Sequence, residues 1–351
     1  MKEEFVIIGG GIAGLCAANR LCELGAAPLL IEGGSYPSHK VCGEFISPAG
    51  TDLLSKWNIH PKLIEKMILR TPEKMLDFSF PEPAGSLSHL ELDPKLLARA
   101  KQKGTRVLTE TKVHDHRFAD GSHFLELSNG DVIHATHLLI ATGRMPNQLQ
   151  QPIFKYKGFK AHFKQLPELN CLEMFSIHGA YLGVSPVEGG MFNVAALTQM
   201  NMEQTLQSFK EQHPKLKEYF NEGKILFDWM QTNVPEFGIK KTPAWPRTYF
   251  IGDAAATIPP ASGNGISMAI QCGLLAADYA IQNDPMGFRR EWEKRIKGPI
   301  FFAKLLHRAM LNPHHGNKLF ALNNFLPLEK FIFYLTRLKH CGNNTKLLTA
   351  H

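Results

Sequence analysis

Three places in the 351-residue chain hold residues whose type and spacing point to chemistry. The first is Gly9-Gly10-Gly11-Ile12-Ala13-Gly14, a G-x-G-x-x-G run. In such a run Gly9 makes a tight turn, Gly11 lets a diphosphate approach the backbone, and Gly14 lets helix and strand pack closely. The helix that opens at Ile12 and Ala13 turns free N–H groups and its positive dipole end toward the phosphates. Glu32 follows 18 residues after Gly14, where a carboxylate can take the ribose hydroxyls of a dinucleotide. The second place is Gly252-Asp253-Ala254, with Pro260-Ala261-Ser262-Gly263-Asn264-Gly265-Ile266 just after it. An acidic residue at a strand end can bond a sugar-alcohol hydroxyl. A helix starting at Gly265 can stabilise negative charge on a redox ring. The first motif serves FAD and NAD alike; the second cluster points to a flavin. The third place is Lys40-Val41-Cys42-Gly43-Glu44. Cys42, near Lys40, is a candidate to tune a redox centre or relay a proton, and Glu44 a candidate acid–base group with a pKa raised by burial. The competing account has Cys42 packed as a small hydrophobe, with Gly43 making a turn.

The elements that must position these residues read as follows. Phe5 to Ile8 is a short continuous apolar run, as in a strand buried on both faces. A helix over 12–24 and a strand over 28–31 complete a βαβ start. Asp93 and Pro94 predict a helix over 93–104, with Asp93 as its cap. Strands are expected over 107–113, 124–127 and 132–140, with Asp120-Gly121 and Asn129-Gly130 as hairpin turns. The middle third reads as strands over 162–165, 172–177, 181–186 and 191–197, then one helix over 203–220. A strand over 249–251 and a helix over 265–281 follow. The rest is expected to be helical, broken at Pro299, Pro313 and Pro327.

Composition limits the function. With 44% hydrophobic residues the chain can bury a large core, which excludes a disordered chain or a disulfide mini-protein. No apolar run has the ~18–20 residues of a membrane span. The short apolar stretch after Met1-Lys2-Glu3-Glu4 does not resemble a signal sequence, so a cytoplasmic protein is expected. Six scattered Cys form no C-x-x-C pair. The close His pairs, His114/His116 and His314/His315, lack a third ligand, so no metal site is expected. Residues 286–351 hold 12 Lys and Arg against 3 Asp and Glu, whereas the first 285 hold 27 against 29. The basicity is local, which argues against a nucleic-acid-binding surface. The same segment is amphipathic and is a candidate for peripheral contact with an anionic membrane; packing on the rest of the protein is the competing account.

The motifs together resemble the para-hydroxybenzoate hydroxylase type of flavoprotein monooxygenase superfamily, in its geranylgeranyl reductase-like branch. The resemblance covers about residues 1–285. It rests on the Gly9 fingerprint, the Ala141-Thr142-Gly143 strand end, Gly252-Asp253, Lys40 to Glu44, and Tyr181 to Pro186 through Asn193-Val194. It implies an α/β (α+β) fold: a Rossmann-like FAD-binding domain with a β-meander, an inserted antiparallel-sheet substrate domain, and a helical C-terminus. The FAD domain would comprise 1–70, 90–150 and 246–285, the substrate domain 71–89 and 151–245, and the basic helical segment 286–351. Gly33, Lys40, Cys42, Gly43, Val113, Thr142, Gly143 and Gly252 would belong to the FAD site. Asp253 would bind the ribitol, and Pro260, Gly263, Asn264, Gly265 and Ile266 would line the isoalloxazine. Tyr181 and Pro186 would face substrate. Two positions depart from the family: Gly33 stands where many relatives have Arg after the ribose Glu, and His89 stands near where Arg or Gln meets the pyrophosphate. The implied activity is FAD-dependent oxidation–reduction with NAD(P)H as a transient co-substrate. The leading expectation is a monooxygenase that hydroxylates an aromatic or lipophilic molecule through a flavin hydroperoxide. The alternative is reduction of C=C bonds in a prenyl or polyene substrate. A third reading, a non-catalytic carrier of a lipophilic or prenylated partner, is opposed by the intact loop over 263–266.

Overall fold

The computed structural model describes residues 1–143, 154–167, 169–317 and 334–337. Two sheets organise them. In the first, Lys2–Ile8 runs parallel to Leu29–Ile31 on one side and to Val132–Ile140 on the other. Arg106–Leu108 and Thr248–Phe250 extend the parallel part. Val6, Ile7, Leu30, Leu138 and Leu139 are fully buried, so the central part of these strands is apolar on both faces. Val113–Ala119 and Ser122–Leu127 add an antiparallel meander. Its turn has Asp120 at φ 51° and Gly121 at φ 72°, the positive angles that a two-residue hairpin turn needs. The strand expected over 107–113 is instead divided between two strands, Arg106–Leu108 and Val113–Ala119, on opposite sides of the sheet.

The second sheet contains Phe154–Lys164, Phe192–Thr198, Ala180–Pro186, Leu172–Ile177, Lys62–Arg70 and Met75–Ser86 in that lateral order. The short strands Lys224–Ile225 and Phe45–Ile46 lie at its two ends, and Met230–Pro235 also pairs with Phe154–Lys164. Lys62–Arg70 belongs here and not to the first sheet. It pairs along its length with Met75–Ser86, with Arg70 opposite Met75, so a boundary at residue 70 would cut a hairpin.

Helices Ile12–Glu23 and Gly265–Ile281 pack against one another at a glycine contact: a Cβ on Gly273 would lie 2.3 Å from the Ala13 carbonyl oxygen. The helix expected from residue 93 begins at His89 instead. Its first turn is fixed from outside: Glu188 accepts from the Ser88 N–H at 3.0 Å and Glu44 from the His89 N–H at 2.9 Å. Asp93 therefore lies inside the helix and is free for another task. Residues 202–222 form two helices, Met202–Gln212 and Pro214–Glu222, because Pro214 starts a new one. Helix Pro285–Met310 runs unbroken through Pro299. A proline in a helix interior costs about 3 kcal/mol, and burial of Ile296, Ile300 and Ala303 around it offsets that penalty. Pro313 follows the end of this helix, and Pro327 is outside the described residues.

Candidate FAD site and adjoining cavity

The first motif forms the turn between Lys2–Ile8 and Ile12–Glu23. Gly9 has φ +103°, and a Cβ there would lie 2.4 Å from the Ala141 carbonyl oxygen. A Cβ on Gly14 would lie 2.0 Å from the carbonyl oxygen of Gly9. Gly11 caps the helix without a side-chain bond. Outside it is open space, where the nearest atom to a Cβ would be Lys40 Nζ at 3.8 Å. Buried Ile12 and Ala13 hold the first turn in the core. Backbone donors, a helix dipole and one ammonium thus converge on a cradle that a diphosphate fits.

Glu32 directly follows strand Leu29–Ile31 and accepts from Gly10 N–H at 2.6 Å and Gly34 N–H at 2.7 Å. Its carboxylate is thereby fixed beside the turn, with lone pairs left for ribose hydroxyls. Gly33 is exposed, and a Cβ there would meet Lys112 Cγ at 3.2 Å. Thr142 and Gly143 follow Ala141, whose N–H donates to Ile8 at 2.7 Å. Val113 opens the neighbouring meander strand. These positions gather at the carboxyl edge of the parallel strands, where open α/β sheets bind ligands.

The second cluster closes onto the first. Gly252 has φ +60°, and a Cβ there would stand 2.8 Å from Ala13 Cβ. Asp253 is half-buried next to it. At Gly263, φ +59°, a Cβ would lie 2.7 Å from the Phe45 ring. The Asn264 amide is engaged on both sides: Oδ1 accepts from Ser47 Oγ at 2.8 Å and Nδ2 donates to the Thr336 carbonyl at 3.1 Å. Helix Gly265–Ile281 therefore starts without a side-chain cap, and Ile266 anchors its first turn in the core. Arg337 Nη1 donates to the Ser262 carbonyl at 2.7 Å.

Between this loop and the second sheet lies a cavity of about 190 Å³. Pro260 to Gly263 and Val41 to Gly43 form one wall, and Met67, Leu69, Phe78, Leu172 and Met174 another. Tyr181 also faces it; its hydroxyl accepts from the Ala261 N–H at 3.2 Å and meets His307 Nδ1 at 3.3 Å. Pro186 lies outside the cavity wall, paired with Phe192.

Behind Cys42 and Glu44 is a knot of buried charge. Glu44 is fully buried with φ 54°. Its carboxylate takes the Lys160 ammonium and His162 Nε2, the latter at 2.8 Å. Burial alone would raise the Glu44 carboxyl, but the His162 hydrogen bond and the charges of Lys160, His162 and His89 bring it below its ordinary value. The expected upward shift is thus reversed, because burial here comes with cations. The Cys42 carbonyl accepts from Asn193 Nδ2 at 3.1 Å, and its Sγ accepts from the Glu44 N–H at 3.4 Å. Burial works to raise the Cys42 thiol, yet the hydrogen bond and charge of His89 lower it. His89 Nδ1 lies 3.0 Å from Asp93 Oδ1, and Lys40 Nζ 2.7 Å from Asp93 Oδ2. Burial opposes the His89 cation, but Asp93 and Cys42 raise it to about 9. Asp93, although buried, is held below its usual range by His89 and Lys40.

Sequence reasoning missed Asp93, Lys160 and His162 as site residues. One signal was available for the last two. They alternate with Phe159, Ala161 and Phe163 on one strand, which puts both polar side chains on the same face.

No family model matches the chain. Menaquinone reductase from Mycolicibacterium smegmatis is 21% identical over 327 residues, covering 83% of this chain and 79% of that protein. Digeranylgeranylglycerophospholipid reductase from Methanocaldococcus jannaschii is 25% identical over 375 residues, covering 94% and 93%. Among solved structures, the probable FAD-dependent monooxygenase PqsL from Pseudomonas aeruginosa superposes with a TM-score of 0.73 at 12% identity, covering 92% of this chain and 100% of that one. The chain thus has the fold of the probable FAD-dependent monooxygenase PqsL, and its sequence is similar to those of a menaquinone reductase and a digeranylgeranylglycerophospholipid reductase.

Proposed function

We propose that the protein reduces carbon–carbon double bonds of a lipophilic, prenyl-type molecule held in the apolar cavity, with NAD(P)H as the source of electrons. The observation that carries this reading is the position of Cys42, on the same cavity wall as the loop over 260–263. Saturating a C=C bond needs a hydride on one carbon and a proton on the other, and the cavity wall has a group able to hold that proton. FAD, when bound, supplies the hydride. Gly9 to Gly14, Lys40 and Glu32 would hold its diphosphate and ribose, Asp253 its ribitol, and the loop over 260–266 its ring. The aliphatic and aromatic wall would orient the chain and exclude water. Tyr181, tied to Ala261, would fix the distance between sheet and loop. The two sequence relatives described above carry reductase names, which supports the same reading.

Hydroxylation is the second reading, favoured by the fold shared with PqsL and by an apolar cavity that would protect a reactive oxygen species. An anaerobic incubation of the FAD-loaded protein with NADPH and a geranylgeranyl lipid separates the two. A product gaining two hydrogens per double bond is expected. Product formation only in air, with gain of one oxygen, would overturn the reductase reading. We also propose a cytoplasmic protein that meets its substrate at a membrane surface. Lys294, Lys297, Phe301, Leu305 and Arg308 recur at helical spacing along Pro285–Met310, with Phe301 58% and Leu305 45% exposed. Sedimentation with anionic vesicles at low salt is expected; failure to sediment removes this contact.

A further inference from the structure

Most of the cavity wall is apolar, so the few polar side chains in it decide which ligand atom can be left there. On the side of the second sheet, the polar side chains among the described residues are Tyr181 and Ser185. The Tyr181 hydroxyl is taken up inside the protein, by the Ala261 N–H at 3.2 Å and His307 Nδ1 at 3.3 Å. Ser185 is placed differently. Its Oγ donates to Ser86 Oγ at 3.2 Å, and Ser86 Oγ donates in turn to the Glu44 carbonyl at 3.2 Å. A carbonyl can only accept, so this chain of hydroxyls has one direction. We infer that Ser185 turns lone pairs and no hydrogen toward the cavity, so that the cavity selects a lipophilic ligand with a hydroxyl group, an alcohol or a phenol, over one whose polar end only accepts.

Each link is fixed by the fold. Ser185 lies opposite Asn193 on the neighbouring strand, and the Asn193 amide holds the Cys42 carbonyl at 3.1 Å, which brings Ser185 next to the segment over 42–44. Ser86 is fully buried at the end of Met75–Ser86 and pairs with Phe45. The Glu44 carbonyl accepts from the Leu87 N–H as well, at 3.2 Å. Neither Ser86 nor Glu44 lines the cavity, so the hydrogens of the chain point away from it. Reversing the chain would give up the bond from Ser86 to that carbonyl and aim the Ser185 hydrogen at apolar space. Ser262, on the opposite wall, also spends its hydrogen inside the protein, on the Pro259 carbonyl at 2.9 Å. It belongs to the loop proposed above to hold FAD, so Ser185 is the hydroxyl left for the ligand.

The chemistry of the ligand follows from that direction. An alcohol or phenol O–H donates to Ser185 Oγ and replaces the bond it loses on leaving water. An ether, aldehyde or quinone oxygen sets lone pair against lone pair and is left unpaired. An ammonium can donate, but its charge is costly to bury in an apolar wall. Two residues along on the same face, Gly183 lies opposite Ala195 and both line the cavity, so an apolar chain fits beside the hydroxyl. Ser185 is a binding residue in this scheme, and Ser86 a positioning residue that acts through it. The assignment rests on the cavity being the ligand site proposed above, and adds the polar end of that ligand.

The test is calorimetric titration of the FAD-loaded protein, without NAD(P)H, with two matched pairs of ligands. One pair is geranylgeraniol and its methyl ether; the other is a geranylgeranyl-substituted phenol and its methyl ether. The first reports an alcohol as the group recognised, the second a phenol. In at least one pair the hydroxyl ligand is expected to bind ~10-fold more tightly than its ether. Ser185→Ala is expected to bring that ratio within ~2-fold by weakening the hydroxyl ligand. Ser86→Ala is expected to narrow it by the opposite route: the Ser185 hydrogen is freed to turn to the cavity, and the ether binds more tightly than to the wild type. A role in packing alone would not strengthen binding. The inference is overturned if neither pair is discriminated, if Ser185→Ala keeps the preference, or if Ser86→Ala leaves the ether as weak as before. Those results leave the cavity standing as the ligand site, whereas binding of none of the four ligands overturns both.

Discussion

The turn at Gly9 to Gly14 and the wall at Cys42 to Glu44 sit side by side and are made from opposite materials. The turn acts through backbone: missing Cβ atoms, N–H groups and a helix end, all within a few consecutive residues. The wall acts through side chains brought from far apart. Glu44 meets Lys160 across 116 residues and His162 across 118, while Lys40 meets Asp93 across 53. Binding a diphosphate needs shape and a dipole, which local sequence can encode. Holding a proton inside an apolar wall needs compensating charges on several sides, and those must come from separate elements. The two regions should therefore fail differently when altered.

The largest effect is expected at Glu44→Gln. It removes the carboxylate between Lys160 and His162 and leaves a cation buried without its partner, which destabilises by about 3–5 kcal/mol. Urea unfolding measures this; a loss below about 1 kcal/mol would show that the knot is not coupled. Next is the pH dependence of stability. His89 rises in the folded protein from 6.5 to about 9, so its contribution is complete below the lower value and is lost as pH rises through the upper. The upper bound is about 3 kcal/mol. Melting temperature should fall across that window, and the fall should shrink in His89→Gln. Gly14→Ala comes third. The added Cβ meets a backbone carbonyl, an overpacking worth about 1–3 kcal/mol. Bound flavin absorbance should drop while the fall of melting temperature through the His89 window keeps its position, which separates turn from wall. Lys40→Met is the smallest, because its side chain is 38% exposed. About 1 kcal/mol, or roughly fivefold in FAD affinity by fluorescence titration, is expected.

This contrast also explains what could be read from the sequence. The turn at Gly9 to Gly14 and the loop over 252–266 are legible as short runs in which glycine stands where a Cβ would collide, at Gly9, Gly14, Gly252 and Gly263. The strands over 172–177 and 181–186 were legible from their apolar runs. The helix start at His89 is not legible in the sequence, because Asp93 and Pro94 look like a start. The actual start is capped by Glu44 and Glu188, which no local pattern reveals. That single displacement hid the pairing of His89 with Asp93, since the two share a helix face only if the helix begins early. The hairpin from Lys62 to Ser86 was divided at residue 70 for a related reason. Its alternation, as in Met75 to Phe80, gives a half-buried strand but does not say which sheet it joins.

Thr336 and Arg337 give the loop over 260–266 two of its hydrogen bonds, and they lie 72 and 75 positions beyond their partners Asn264 and Ser262. A ribosome making this chain therefore releases the flavin-side loop well before the residues that fasten it. The loop stays without these two bonds while those later codons are translated, so its final fastening waits on a segment made long after the loop itself.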